Sequence, residues 1–453
     1  MRAWRLPVLL LAFVAAAPLI AAAANGLRCP EDFRAFYCGG SAVAAGRDPY
    51  RTQPLFGCEL AALAVTGVPP GYRTVVPAPL PPYALALFAV FARLPFSAAS
   101  LTWAAIGILA IAATAVMLAR STGVPLVLTS AALVPSEVCV SLSLGQVVPL
   151  ALCALCAAAW AIREKRKHVA AAAALACATI EPHVALPALV AAACFTRSMR
   201  RPLAVACALL AAVSLAVVGP ATCLEYVSRV LPLHARSEIV NYRFQYSLTS
   251  LLWAGGVRKE TAAALGAASY LFMTVAGVAL AGSLSRRFSD ERFLVLFPPA
   301  LGLIGGPFLH SQQMVAALPA AFLLVHYVRD DLRRVVAVAA VCACLAVPWE
   351  TIATLPAVAA RLPADPPAKA AGASLPQARP EELAELPWTR QVEAFTELHP
   401  PNIPLETAVK LPAWCALVAV LGAGLQMASR KVAPPRSAPS SFAELPRAAE
   451  NAT

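Results

Sequence analysis

Glu31 and Asp32 open the stretch Glu31-Asp32-Phe33-Arg34-Ala35-Phe36-Tyr37, directly after the first apolar segment of a chain that is mostly apolar. A carboxylate held where lipid meets water can serve as a general base, because partial desolvation raises its proton affinity. Asp32 is the first choice for that role and Glu31 the second. Arg34 would lower the pKa of the neighbouring carboxyl and could present a fork of donors to a phosphate. Glu181 and His183, in Glu181-Pro182-His183, interrupt an apolar run. Ionisable groups there are costly and mark functional sites, though the two could simply pair with each other. His310 follows Pro307-Phe308-Leu309 and reads either as a packed, helix-capping histidine or as a hydrogen-bonding group for a substrate. Gln146 stands after Gly145 at the start of a long apolar stretch, as a polar helix start or as a contact to a substrate hydroxyl. Arg243 lies among Tyr242, Phe244, Gln245 and Tyr246. It is either a snorkelling arginine in an aromatic belt or a phosphate clamp. Asp330-Asp331, beside Arg329 and Arg333, reads as solvated charge.

The elements that must carry these residues follow from composition. The chain has 453 residues, is 60% hydrophobic and 13% charged, and has a mean hydropathy of +0.70. That is an all-α polytopic membrane protein, since helices satisfy their own backbone groups inside hydrocarbon, and the short alternating segments of a β-barrel are missing. The net charge of +12 does not point to nucleic acid, because the positive residues cluster between apolar runs, where they set topology. Of the 13 cysteines, Cys153, Cys156, Cys177, Cys207, Cys342 and Cys344 fall in apolar runs as packing residues. Cys29, Cys38 and Cys58 fall in an outer loop where a disulfide could form, with the pairing open. Residues 1–24 read as an uncleaved first helix in preference to a signal peptide.

About twelve transmembrane helices are expected, several of them short, near 6–24, 97–119, 123–139, 146–162, 168–180, 183–196, 202–219, 261–282, 291–306, 312–328, 333–349 and 409–429. The basic clusters at Arg2/Arg5, Arg120, Arg163–Lys167, Arg197–Arg201, Arg286/Arg287, Arg329–Arg334 and Arg430/Lys431 all fall on one side if 168–196 is a hairpin. Pro182 supports the break by disfavouring helix at Glu181. That side is then cytoplasmic, with both termini inside. The resulting organisation is a first helix (1–24), an outer loop with the acidic pair and an interfacial helix (25–96), helices 2–7 (97–219), and a second outer loop (220–260). Helices 8–11 (261–349), a Pro/Ala/Glu-rich outer loop (350–408), a last helix (409–429) and a cytosolic tail (430–453) complete it. No internal repeat of about 20–50 residues is visible.

With these residues in order, the chain resembles glycosyltransferase family 87, membrane enzymes of the GT-C fold related to polyprenyl-phosphate-mannose-dependent mannosyltransferases. The resemblance is carried by Asp32-Phe33-Arg34-Ala35-Phe36-Tyr37, Gly46-Arg47-Asp48-Pro49-Tyr50, Pro81-Pro82-Tyr83, Leu94-Pro95-Phe96 with Trp103, Gly145-Gln146, Gln245-Tyr246-Ser247-Leu248 and Pro307-Phe308-Leu309-His310. It runs from about residue 25 to 330. Glu181 stands where the family usually has lysine, and Phe244 where it has asparagine.

The resemblance implies an inverting hexosyltransferase in a bacterial inner membrane, with a GT-C-like bundle and large periplasmic loops. Its donor would be a polyprenyl-phosphate sugar, mannose by the family pattern. Its acceptor would be the hydroxyl of a glycolipid, a glycan or a protein. Asp32 and His310 would be catalytic. Glu31, Arg34, Tyr37, Gln146, Glu181, His183, Arg243 and Gln245 would bind substrate. No cofactor is expected, and no essential metal, because the outer loops contain no Asp-x-Asp. Two other readings are a secondary transporter, which the large loops and missing repeat disfavour, and a non-catalytic assembly factor of envelope glycan synthesis.

Overall fold

A computed structural model describes residues 30–66, 76–134, 136–163, 167–240, 245–328, 331–347, 349 and 403–429. The described residues are helical, with no strand and a single β-bridge between Gln245 and His310. The first expected helix, most of the loop over 350–408, and the tail lie outside them.

The segment read as a loop before residue 96 is itself helical. Pro30 precedes α1 (Glu31–Ala44), and Glu31 and Asp32 occupy its first turn, where negative charge complements the helix dipole. α2 (Thr52–Thr66) and α3 (Pro82–Phe91) follow. α3 is the short apolar helix expected near the interface. α1 lies flush on α3 because Gly39 and Gly40 face it. A Cβ on Gly40 would come within 2.3 Å of the Phe88 carbonyl carbon. Phe33, fully buried, is ringed by Phe88, Phe91, Phe96 and Trp103 at centroid distances of 5.9–6.3 Å. Cys38 and Cys58 form a disulfide between α1 and α2, which resolves the pairing left open by the sequence.

The apolar bundle comprises α4 (Phe96–Thr122), α5 (Leu126–Leu133), α6 (Glu137–Leu144), α7 (Val148–Arg163), α8 (His168–Ala178), α9 (Pro182–Phe195) and α10 (Arg197–Glu225). It continues through α11 (Leu231–Ser237), α12 (Leu248–Ala254), α13 (Lys259–Phe288), α14 (Arg292–Gly302), α15 (Leu318–Val328), α16 (Leu332–Ala346) and α17 (Ile403–Ser429). Five helical segments are long and apolar enough to cross a membrane: Phe96–Thr122, Arg197–Arg236, Lys259–Phe288, Ser311–Val328 and Thr407–Ser429. Others, including α7, α8 and α9, are shorter apolar helices. The helix expected over 123–139 is instead α5 and α6, with Ser136 capping α6 through Val138 N–H at 3.2 Å. The expectation for 202–219 is exceeded at both ends. α10 bends at Gly219 (φ 79°), ahead of Pro220, and passes into one π-helical turn at Tyr226–Val230. Leu101, Leu109, Val205, Leu209, Leu271 and Phe272 are exposed on the long helices, as lipid-facing surfaces require.

Residues 168–195 are two helices, and the ends of the bundle separate accordingly. At one end, Glu291 Oε2 lies 3.4 Å from His168 Nε2, and Glu291 Oε1 accepts from Thr196 Oγ1 at 3.5 Å. There Arg292 bonds Asp290 at 2.6 Å and the Ser121 carbonyl, and His326 Nδ1 approaches the Thr122 carbonyl at 2.7 Å. Arg163 donates to the Arg120 carbonyl, and Arg287 to that of Ala428 at 2.9 Å. The described basic clusters thus gather at a single end, where the Asp290–Arg292 pair ties the ends of α4, α14 and α15 and Arg163 joins α7 to α4. The opposite end carries Asp32, Gln146, Glu181 and His310.

The close approach of α1 and α3 yields a test. Gly40→Ala should destabilise the purified protein by about 1–3 kcal/mol, the usual range for overpacking. Gly422→Ala, whose Cβ would meet nothing within 4 Å, should be neutral. Equal thermal midpoints for the two variants would contradict the packing described.

Candidate active site

Gln146 is placed by a chain of local constraints. Gly145 ends α6 in a left-handed conformation (φ 73°), which glycine adopts without a steric penalty. A side chain there would also meet Phe33, whose Cβ lies 2.4 Å from the Cβ position. Trp103 Nε1 donates to the Gly145 carbonyl at 2.9 Å. The turn so fixed aims Gln146 Nε2 at Asp32 Oδ2, 2.6 Å away.

Asp32 and Gln146 line a cavity of about 1110 Å³ that also contains Glu31, Glu181, His183, Tyr226, His234, Glu238, Tyr270, His310 and Gln313. Most of these residues come from helix termini: the starts of α1, α7 and α9, the far end of α10, the start of α13, and the turn before α15. Burial drives the Asp32 carboxyl up from 3.8 to about 8. Glu31 adds to that rise, Gln146 opposes it through its hydrogen bond, Glu238 adds to it, and Arg34 opposes it weakly. Arg34 acts in the expected direction, lowering the carboxyl's pKa, but removal from water and like charge outweigh one guanidinium.

His310 occupies the far side. Its backbone N–H donates to Gln313 Oε1 at 2.8 Å, and Gln313 Nε2 donates to Glu181 Oε1 at 2.8 Å. Both ends of the Gln313 amide are thereby committed. Gln245 lies behind His310: its Oε1 accepts from Leu309 N–H at 2.8 Å, and its Nε2 lies 3.1 Å from both His310 Nε2 and Glu238 Oε2. Burial, then the proximity of His183, lowers His310 to about 4, so the ring is neutral at pH 7. His183 Nδ1 lies 3.3 Å from Glu181 Oε1, the mutual pairing weighed from sequence. Phe308 packs on both His183, with the rings tilted, and His234, edge to face, at centroid distances of 4.9 and 5.0 Å.

Asp32, Glu31, Gln146, Glu181, His183 and His310 therefore share one cavity, with Gln245 directly behind it. Two candidates lie elsewhere. Arg34 is buried against Glu59, its Nε 3.3 Å from Glu59 Oε2. Tyr37 donates to the Leu94 carbonyl at 2.9 Å and packs on Phe96. Neither lines the cavity, because residues two and five positions from Asp32 leave a helix in other directions. Arg243 lies outside the described residues. Sequence reading missed Glu238, His234, Gln313 and Tyr226. The spacing of Gln313 three residues after His310 and of Glu238 four after His234 are the signals that could have found them. Among the described residues no group of three His, Cys, Asp or Glu is placed to hold a metal ion.

For any reaction in which Asp32 accepts a proton, its raised pKa fixes the sign of the pH dependence. kcat/KM should climb with pH and level off above about 8. Gln146→Leu removes an interaction that favours the carboxylate, so the rise should move to higher pH. A profile that is flat from about pH 6 to 9, or that moves the other way in Gln146→Leu, would contradict this assignment.

Residues 80–297 match the sequence model of glycosyltransferase family 87. The matched stretch covers just under half of the chain and is narrower than the motif resemblance, with Asp32 and His310 lying outside it. No curated protein and no solved structure matches the chain. Gln146, Glu181, His183, His234, Glu238 and the long apolar helices α4, α10 and α13 all fall within the match. Over that stretch the chain is similar to glycosyltransferase family 87, a likeness that points to a multi-pass membrane glycosyltransferase.

Proposed function

We propose that the protein is an inverting glycosyltransferase that moves a sugar from a polyprenyl-phosphate donor to an acceptor hydroxyl outside the cytoplasm, with Asp32 as the base. The observation that carries this reading is the Asp32 carboxyl, desolvated and held by Gln146 at the wall of a cavity whose other side presents His310. The acceptor O–H gives its proton to Asp32, and the oxygen attacks the anomeric carbon. The bond from that carbon to the donor phosphate breaks, and its electron pair leaves with the phosphate. Attack opposite the leaving group inverts the anomeric centre. A phosphate leaves without prior protonation, so one carboxylate suffices. His310 and Arg236, which both line the cavity, are the groups suited to meet the departing phosphate, His310 by hydrogen bonding and Arg236 by charge. Mannose is the sugar that the family pattern favours.

Two observations support an extracytoplasmic cavity in a bacterial inner membrane. The Cys38–Cys58 disulfide sits in the helix that carries Asp32, and disulfides belong to oxidising compartments. The described basic clusters lie at the other end of the bundle, as expected of a cytoplasmic face.

Asp32→Asn should abolish transfer from a radiolabelled polyprenyl-phosphate sugar in membranes and in purified protein, without loss of folded protein. Full transfer by purified Asp32→Asn would remove Asp32 from the mechanism.

A further inference from the structure

Asp32 is only as well placed as α1 is prevented from turning about its axis. Arg34 and Cys38 lie one helical turn apart on the face of α1 opposite Asp32. They meet adjacent residues of α2: Cys38 is bonded to Cys58, and Arg34 Nε lies 3.3 Å from Glu59 Oε2. Both side chains of the ion pair are more than nine-tenths buried. The same Glu59 oxygen accepts from the Val76 backbone N–H at 3.2 Å. Val76 lies in a non-helical stretch ahead of α3, and Val76, Pro77, Pro79 and Leu80 line the cavity. The far end of that segment is pinned separately, by Tyr226 Oη to the Pro79 carbonyl at 3.1 Å and Tyr50 Oη to the Leu80 carbonyl at 2.9 Å.

We propose that Glu59 is a positioning residue for the transfer reaction, one carboxylate that fixes the rotation of α1 through Arg34 and anchors the cavity wall through Val76. The proposal rests on the reading of Asp32 as base. One crosslink on a helix leaves a pivot. A second, one turn nearer the reacting carboxyl, removes it. A rotation of about 20° moves a side chain at the helix surface by on the order of 1 Å. A displacement of that size at a reacting group can cost up to ~100-fold in rate. Glu59 touches no substrate in this scheme, so its loss should act on the chemical step and not on affinity.

The test uses full-length protein with the Cys38–Cys58 bond verified by mass spectrometry under non-reducing conditions. Glu59→Ala removes both contacts, while Glu59→Gln keeps an acceptor for Val76 and loses the charge opposite Arg34. We expect kcat to fall by about 10–100-fold in Glu59→Ala and about fivefold in Glu59→Gln, with KM within twofold of the parent. Amide hydrogen exchange should speed up in residues 31–36 in both variants and at Val76 chiefly in Glu59→Ala. A folded, disulfide-intact Glu59→Gln with parental kcat and parental exchange in residues 31–36 overturns the proposal, whether or not Glu59→Ala folds. Activity lost only in proportion to folded protein overturns it as well. The exchange readout does not depend on the chemistry. Should Asp32→Asn retain transfer, the base assignment fails, while the mechanical link between Glu59 and α1 is still decided by exchange.

Discussion

The cavity depends first on the burial of Phe33. Its ring sits among Phe88, Phe91, Phe96 and Trp103, and its Cβ fills the space that a side chain at Gly145 would need. Aromatic contacts of this kind combine a large buried area with directional ring packing. Asp32 and Arg34 flank Phe33 in sequence, so the contact that seats the ring also sends one neighbour toward the cavity and the other into the protein. The same Trp103 that stacks on Phe33 holds the Gly145 carbonyl, and with it Gln146. One apolar cluster therefore places both partners of the hydrogen bond between Gln146 and the Asp32 carboxyl.

The electrostatics follow from that placement. Glu31, Asp32, Glu181, Glu238 and Glu260 line the cavity, against Arg236 and the three histidines His183, His234 and His310. An anionic donor entering such a site would meet more carboxyl than guanidinium groups. Hydrogen-bond donors from imidazole and amide groups suit such a site better than fixed positive charge. Glu181 illustrates the point. At the break between α8 and α9 it accepts from Gln313 and lies beside His183, so the position that carries lysine in the family pattern here belongs to a hydrogen-bonded network.

How much of this was legible in the sequence varies with the physics involved. The 168–196 hairpin was legible because Pro182 and the flanking basic clusters constrain topology through steric and membrane-charge effects that act locally. The convergence of Asp32, Gln146 and His310 was legible only as ordered motifs. The fate of Arg34 was not, because its partner Glu59 lies 25 residues away and only tertiary packing brings them together. The break between α5 and α6 was hidden by uniformly apolar composition, in which a span and two short buried helices look alike. His234 and Glu238 were overlooked because the segment after Gly219 reads as a loop, whereas it continues helically along the cavity.

The bend at Gly219 has a consequence for depth. From Arg197 to Gly219, α10 extends about 33 Å at ~1.5 Å per residue, close to the ~30 Å of bilayer hydrocarbon. Were the hydrocarbon to begin at Arg197, the chain would leave it at about the point where it bends, and Tyr226, His234 and Glu238 would follow at headgroup level. A polyprenyl chain anchored in the bilayer would carry its phosphate at that same level. The donor could then reach the cavity by lateral diffusion alone, its tail never lifted out of the lipid.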